Sequence, residues 1–425
     1  MDYKQIEYDN YTLHLINTDR FRTLNIEVFF SNSYNRKSKI YYTFLSSLLS
    51  NTTKKYNSKM KMNIKKEELY DLNMYYSFYS MGKASIFLCD MSVVNPKYVN
   101  DNLYDDIFSF LYESLFNPNV TDGKFDETEF NFSLDGIINS SKKSRENSSS
   151  YANVEFRKTF YDKTILKYPF YEKEEVYRKV KNEDVFKFYK NMFSNDRIDI
   201  FVLGDIDEDL IIKKVNKLFS KVKNNSNMNI DLYLNNKPKE KECIVSETKD
   251  YNQSILLLGY KFKNLSDYEL RYVLPIYNMM LGGTNINNSI LFTNVREKNS
   301  LCYYIASFAS MYVGSLIIEA QISKTNYSKT LKLIKENIKM NKNIPGIEDL
   351  FVSSKKAFNV GLNDYYDNPY KIISRYYSSI FENLPNIEET RKIINELDIN
   401  DVFELSKKLK LDTIYFLEGD KNEWE

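Results

Sequence analysis

Histidine is almost missing from this chain: His14 is the single one in 425 residues. Zinc hydrolase sites of the common kind need two or three imidazoles at fixed spacing, so the chain cannot assemble one by itself. His14 lies in the alternating run TLHLINT, where no nucleophile motif accompanies it, and it reads as an ordinary strand histidine. Cysteine is scarce too. Cys89, Cys243 and Cys302 are odd in number and far apart, which fits buried free thiols better than a disulfide framework or a paired-cysteine metal site. Glycine (11) and proline (8) are too few for a low-complexity or fibrous protein. No stretch approaches the roughly 18 to 20 apolar residues that span a bilayer; the run SILLL at Ser254–Leu258 is of strand length. Neither charge sign dominates: 59 basic residues face 58 acidic ones without a sustained basic stripe, so neither nucleic acid nor an anionic membrane is indicated as a partner. The start MDYKQIEYDN is polar and acidic with no apolar signal-peptide core, and together with the lack of a membrane-spanning run it leads to the expectation of a cytoplasmic protein. GxGxxG and GxxxxGK[ST] phosphate loops are both absent, which leaves nucleotide binding without an anchor.

What is present points to an ordinary globular chain. With 43% apolar and 28% charged residues it can bury large cores, and its length suits two domains of roughly 200 residues each. An internal echo supports that division. EDVFKFYKNMFSNDRIDIFVLGD at 183–205 and NDVFELSKKLKLDTIYFLEGD at 400–420 share an acidic-capped helix with Val-Phe, a polar turn at aspartate and an apolar strand ending in Gly-Asp. EEVYRKV and EETRKII extend the correspondence upstream. Asparagine-rich KVKNNSNMNIDLYLNNKPKE, 221–240, reads as a linker between an amino-terminal domain, 1–220, and a carboxy-terminal one, 241–425. The first half supplies strands TLHLINT and LNIEVFF, a helix near Ile40–Ser50 and the paired strands of YYSFYSMGKASIFLCDMSVV. The second repeats the order with strand SILLLGYKF, a helix capped by Ser266 and Glu269, and a strand beginning near Leu301. Gly282-Gly283 falls where that helix should stop, either as a helix terminator needing positive φ or as a loop that lets a peptide approach the backbone.

The stretch LGGTNINNSILFTNVREKNSLCYYIAS resembles the carboxy-terminal-domain signature of the M16 family of insulinase, pitrilysin and mitochondrial processing peptidase, through Leu281, Gly282, Gly283, Leu291, Phe292, Arg296, Glu297, Lys298, Leu301 and Tyr303. FVLGDID at 201–207 resembles the end of the family's first domain, and Ser300 stands where the family usually has glycine. The resemblance implies an α+β fold of two homologous domains, each a largely antiparallel sheet with helices on one face, together forming a half-clamshell. Active members carry His-x-x-Glu-His on a first-domain helix, two histidines sharing one zinc while the glutamate activates its water. Here Thr43, Phe44, Leu45, Ser46 and Ser47 occupy those positions, with the further downstream glutamate falling near Asp135 or Gly136. Hydroxyls are poor zinc ligands at neutral pH, so autonomous zinc hydrolysis is excluded.

Arg296 and Tyr303 match the family residues that hold substrate backbone and stabilise the oxyanion. By themselves they are equally a solvated helix-end cation and a packed ring. The resemblance therefore implies a zinc-less subunit of a heterodimeric M16B-type peptidase: no cofactor in this chain, zinc in a partner with an intact HxxEH motif, a peptide or unfolded polypeptide as substrate, and Gly282, Gly283, Arg296 and Tyr303 at the substrate. NVREKNSLCYY is similar to the zinc-site-less bacterial M16-like proteins associated with elongation factor P 5-aminopentanol modification. The alternative is a catalytically inert M16-like scaffold or peptide-binding assembly protein.

Overall fold

The structure is a computed structural model that describes residues 1–99, 103–224, 226, 230–234, 236–284, 286 and 288–420. Positions 225, 227–229 and 235 of the expected linker, and Asn285 and Asn287 of the glycine loop, lie outside the described residues. The chain divides into two compact units. The first comprises Met1–Lys142, Tyr171–Leu232 and Tyr365–Asn383; the second comprises Lys143–Phe170, Tyr233–Asp364 and Leu384–Glu425. A single cut at the linker therefore separates the sheets but not the helices, because each half of the sequence contributes one segment to the other unit.

The first unit is built on a six-stranded sheet of β1 (Asp2–Tyr8), β2 (Tyr11–Asn17), β3 (Thr23–Ser33), β4 (Asn73–Met81), β5 (Ala84–Val94) and β6 (Arg197–Gly204), in the order β1-β2-β6-β3-β5-β4. Only β2 and β6 run parallel. The second unit holds β7 (Cys243–Lys249), β8 (Ser254–Phe262), β9 (Cys302–Ser310), β10 (Ser315–Ile322) and β11 (Leu409–Gly419), in the order β9-β10-β8-β11-β7, again with one parallel pair, β11 and β7. Strand for strand, β2, β3, β4, β5 and β6 match β7, β8, β9, β10 and β11. The echoed sequences are the equivalent helix-to-strand corners: Asn182–Asn195 leads into β6, and Ile399–Lys407 leads into β11. The duplication read from sequence is thus a duplication of topology. The two-residue strands Val120–Thr121 and Lys124–Phe125 form a separate hairpin.

Strand alternation sends two sets of side chains to opposite faces of each sheet. In the first unit Leu13, Leu15, Ile26, Val28 and Phe30 join Tyr42 and Phe44 of the helix Arg36–Asn51, Val185 of Asn182–Asn195 and Ile211 of Glu208–Phe219 in one core. The other face carries Phe29, Ser31 and Phe201, and the helix Pro369–Phe381 covers it: Tyr377 stacks on Phe29 at 3.9 Å, with its hydroxyl 2.5 Å from Ser31 Oγ. The second unit repeats the plan. Leu256, Leu258, Ile318 and Ile414 face its own helices, while Ile255, Leu257, Ile317 and Tyr415 are covered by Ala152, Phe156 and Phe160 of the helix Ser148–Phe160. That approach is possible because β8 has Gly259 at its centre, where a Cβ would meet the Phe160 ring at 2.5 Å. Helices on one face, the expected plan, are thus joined in each unit by a single helix on the other.

Segments of the linker are pinned within each unit. Leu232 O accepts from Lys83 N at the β4–β5 turn, so close to Gly82 (φ +55) that a Cβ there would lie 1.9 Å from it. Leu234 N donates to Tyr312 O at the matching β9–β10 turn.

On the second face of the first sheet, Glu27 of β3 lies directly across from Asp90 of β5, and Glu27 Oε1 and Asp90 Oδ1 are buried without a hydrogen-bond partner. Burial, then the facing Asp90, push the Glu27 carboxyl up to about 9; burial pushes Asp90 up to about 6 against the hydrogen bond it accepts from Tyr75. A carboxyl whose folded pKa is raised holds a proton that the unfolded chain has released, so stability falls as pH climbs from about 4.5 towards 9. Glu27→Gln should flatten that decline and raise stability at pH 9 by more than about 1 kcal/mol, as read from urea unfolding at a series of pH values. An unchanged slope in the variant would show that Glu27 is not the group responsible.

Candidate functional site

The helix Arg36–Asn51 carries the positions matched to the zinc motif. Its apolar face, through Phe44, Leu45, Leu48 and Leu49, is buried, and this fixes the rotation of the remaining face. On that face Thr43 Oγ1 donates to Lys39 O (3.0 Å), Ser46 Oγ donates to Thr43 O (3.0 Å), and Ser47 Oγ lies 2.9 Å from Ser133 Oγ. The partner across from the helix is therefore Ser133 on Glu127–Glu146. Asp135 and Gly136, where the downstream acid was placed from sequence, are exposed. The spacing Phe130, Ser133, Ile137 of buried residues on that helix is the signal that identifies Ser133. Thr43, Ser46, Ser47 and the facing Ser133 all carry hydroxyls, two of which close helix hydrogen bonds while the other two pair with each other. Among the described residues no three of His, Cys, Asp and Glu are grouped so as to hold a metal.

His14 sits on the opposite face of the same sheet, fully buried. Its Nε2 lies 3.2 Å from Asp199 Oδ1, its Nδ1 2.8 Å from the Tyr3 hydroxyl, and its ring stacks on Phe201 at 4.1 Å. Burial would raise the Asp199 carboxyl, but hydrogen bonds from His14 and from the Arg197 fork (2.8 and 3.0 Å) hold it below its ordinary value. An ionised carboxylate only accepts, so His14 donates from Nε2 to Asp199, and its Nδ1 meets the Tyr3 hydroxyl. Both nitrogens are used in structure.

The second unit organises the other candidate residues. Ser266 and Glu269 cap the helix reciprocally, with Ser266 N donating to Glu269 Oε2 (2.9 Å) and Glu269 N to Ser266 Oγ (3.3 Å). The helix Leu274–Leu281 then stops at Gly282. Gly282 has φ −169, and Gly283 is not among the residues of positive φ, so the terminator reading that needed positive φ is corrected. The glycines serve close approach instead. Gly282 O accepts from Ser307 N of β9 (2.9 Å), and a Cβ on Gly282 would crowd Ser307 Oγ at 3.0 Å; one on Gly283 would meet Met279 Cα at 2.9 Å.

Arg296 closes a π-helical turn, Phe292–Glu297, a wide turn that occurs at functional sites and aims side chains differently from an α-helix. Its guanidinium lies 4.9 Å from the Phe292 ring centroid and 3.8 Å from Glu297, and its side chain is 44% exposed. The turn ends at Ser300 with φ +51, so the family's glycine position is the left-handed corner that glycine favours. Two residues on, β9 pairs Cys302 with Ile322 and Tyr304 with Gln321, and Tyr303 falls on the bulge between them. A bulge re-aims a side chain out of the ladder, and Tyr303 is 62% exposed. Burial pushes the neighbouring Cys302 thiol up to about 11, with the positive charge of Arg296 opposing it, so the guanidinium lies within electrostatic reach of the start of β9. Arg296 and Tyr303 are both presented to solvent, the first from the turn and the second from the edge strand that follows it. The bulge and the π-turn were invisible to pattern reading, since neither has a composition cue.

Two topologically duplicated α+β units, with hydroxyls on the remaining face of the helix Arg36–Asn51, define an M16-like architecture. Residues 179–350 match the family described as the peptidase M16 inactive domain. The chain is 22% identical over 411 residues to "Probable inactive metalloprotease YmfF" of Bacillus subtilis, covering 96% of each. Its fold matches the crystal structure of a conserved protein from Enterococcus faecalis with a TM-score of 0.91 at 23% identity, over 99% of this chain and 100% of that one. It also matches the periplasmic protease PqqL from Escherichia coli with a TM-score of 0.70 at 13% identity, over 97% of this chain but 45% of that one. The chain is thus similar to inactive M16 proteins in sequence over residues 179–350 and in fold over almost its whole length. No helix among the described residues is long and apolar enough to cross a membrane.

Purified alone and dialysed against zinc, the chain should hold far less than one zinc per molecule by elemental analysis; a stoichiometric zinc resistant to a weak chelator would contradict the hydroxyl assignment. Ser300→Gly should leave stability within about 1 kcal/mol of wild type, because relief of left-handed strain offsets the entropy of a freer unfolded chain, whereas Ser300→Val should cost more than about 1 kcal/mol in chemical denaturation.

Proposed function

We propose that the chain is the zinc-less subunit of a heterodimeric M16B-type metallopeptidase and completes the site of an HxxEH partner that cleaves peptides or unfolded polypeptide. The observation that carries this reading is the joint exposure of Arg296 and Tyr303 on the π-turn and the adjacent bulge, in a chain whose own motif helix bears only hydroxyls. The 45% coverage of PqqL supports it: that protein is about twice as long, so a chain of this size corresponds to one half of it.

Zinc held by the partner would supply the activated water. This chain supplies donors. The Arg296 guanidinium, steadied over Phe292, offers a planar fork to substrate backbone carbonyls, and the Tyr303 hydroxyl can donate to a carbonyl oxygen as negative charge gathers on it. Gly282 and Gly283 are assigned to the same substrate-facing region by the family resemblance, while the space of their missing Cβ atoms is taken up by Ser307 and Met279 of this chain. The unpaired thiols support a cytoplasmic place of action, and NVREKNSLCYY supports a place among the proteins linked to elongation factor P modification.

Co-expressed with the HxxEH protein of its genome, the chain should form a one-to-one complex by gel filtration with mass measurement. In that complex Arg296→Ala and Tyr303→Phe should each lower kcat/KM for peptide cleavage by roughly 10²- to 10³-fold while pairing persists. Pairing with undiminished cleavage in both variants would favour the inert scaffold, and failure to pair would remove complementation altogether.

A further inference from the structure

The first unit contains a cavity of about 730 Å³ that none of the functions above uses. It lies among the helices Tyr104–Phe116, Asn182–Asn195 and Glu208–Phe219 and the residues just after the last of these. Its floor is aromatic. Phe108, Tyr112 and Phe116 recur every fourth residue along one helix, Phe116 lies 5.3 Å from Tyr112 and 5.1 Å from Phe193, and Tyr112 remains 42% exposed although its neighbours are packed. Its rim is basic: Lys214, Lys217, Lys221 and Lys223 line it against a single acid, Asp105, which pairs with Lys214. Lys221 and Lys223 make no ion pair among the described residues. In a chain whose net charge is +1, this is a local excess of positive charge around an apolar hollow.

The wall is preformed. Asn10 Nδ2 donates to Phe219 O (2.5 Å) and Val222 O (3.0 Å), and Asn224 Nδ2 donates to Phe193 O (2.9 Å) and Asp196 O (2.7 Å), fixing the backbone that carries the lysines against the helices. A site of this volume suits a small molecule. A nucleic acid would need an extended basic track rather than a hollow with an aromatic floor.

We propose that this cavity binds an anionic amphiphile, a single acyl or aryl group ending in a carboxylate or phosphate, with the apolar part on Phe108, Tyr112, Phe116 and Phe193 and the head among the lysines. The inference stands apart from peptide complementation, since Arg296 and Tyr303 belong to the other unit.

Titration calorimetry on the full chain tests it with dodecanoate, dodecyl phosphate, dodecanol and inorganic phosphate below their aggregation limits. Dodecanoate or dodecyl phosphate should bind one per chain with Kd on the order of 10 to 100 µM, and the tighter of the two names the head group. Dodecanol and phosphate alone should bind at least about tenfold more weakly, and higher salt should weaken the anions severalfold. The double variant Lys217→Glu, Lys221→Glu lies on exposed positions and should keep the wild-type melting temperature while losing at least about tenfold in affinity. The proposal is overturned by no saturable binding up to about 1 mM, by dodecanol binding as tightly as dodecanoate, or by unchanged affinity in the double variant. It is equally overturned if an acidic amphipathic peptide binds one-to-one where neither anionic amphiphile does.

Discussion

Each sheet in this protein has two apolar faces, and a sheet with two apolar faces needs two covers. The helices that follow in sequence supply one. The second cover is a single helix drawn from the opposite half of the chain: Pro369–Phe381 over Phe29 and Phe201 in the first unit, Ser148–Phe160 over Ile255 and Tyr415 in the second. Burying a large apolar side chain is worth roughly 1.5 to 3 kcal/mol, so the three aromatic rings Tyr377, Phe156 and Phe160, all essentially inaccessible, weigh heavily in whether either sheet persists. His14, Asp199 and the Glu27–Asp90 pair are polar groups on the face of the first sheet that the exchanged helix and Tyr3 of β1 help to cover.

The same constraint explains what could be read in advance. Central strands such as SILLLGYKF announce themselves because both faces are covered and the run is continuously apolar, and β8 is buried at every residue. The duplicated helix-strand corners were legible because the same local code, a capped helix and an apolar strand ending at Gly-Asp, was written twice. The exchange was not legible. SSSYANVEFRKTF and PYKIISRYYSSIF have the apolar spacing of any amphipathic helix, and that spacing says which face is buried but not against which sheet. β1, exposed along most of its length, carries almost no hydrophobic signal as an edge strand.

At the candidate site, sequence identified residue types and missed geometry. Arg296 and Tyr303 were found through a family resemblance, but their exposure depends on a π-turn, a left-handed Ser300 and a bulge at Tyr303, features set by backbone strain and register that composition does not encode. Gly282 shows the reverse case: the cause of the glycine is the approach of β9 rather than a left-handed turn. On the motif helix the hydroxyls were legible, yet the residue facing them, Ser133, emerged only once the buried stripe of Glu127–Glu146 was known.

The helix exchange also bears on how such a chain can evolve. A gene divided at the linker would yield two polypeptides, one carrying Ser148–Phe160 without the sheet it covers and the other carrying Pro369–Phe381 in the same condition. Each product would show solvent a bare aromatic face. The two topological copies therefore depend on being translated as one polypeptide, since an uncovered face of this kind favours aggregation.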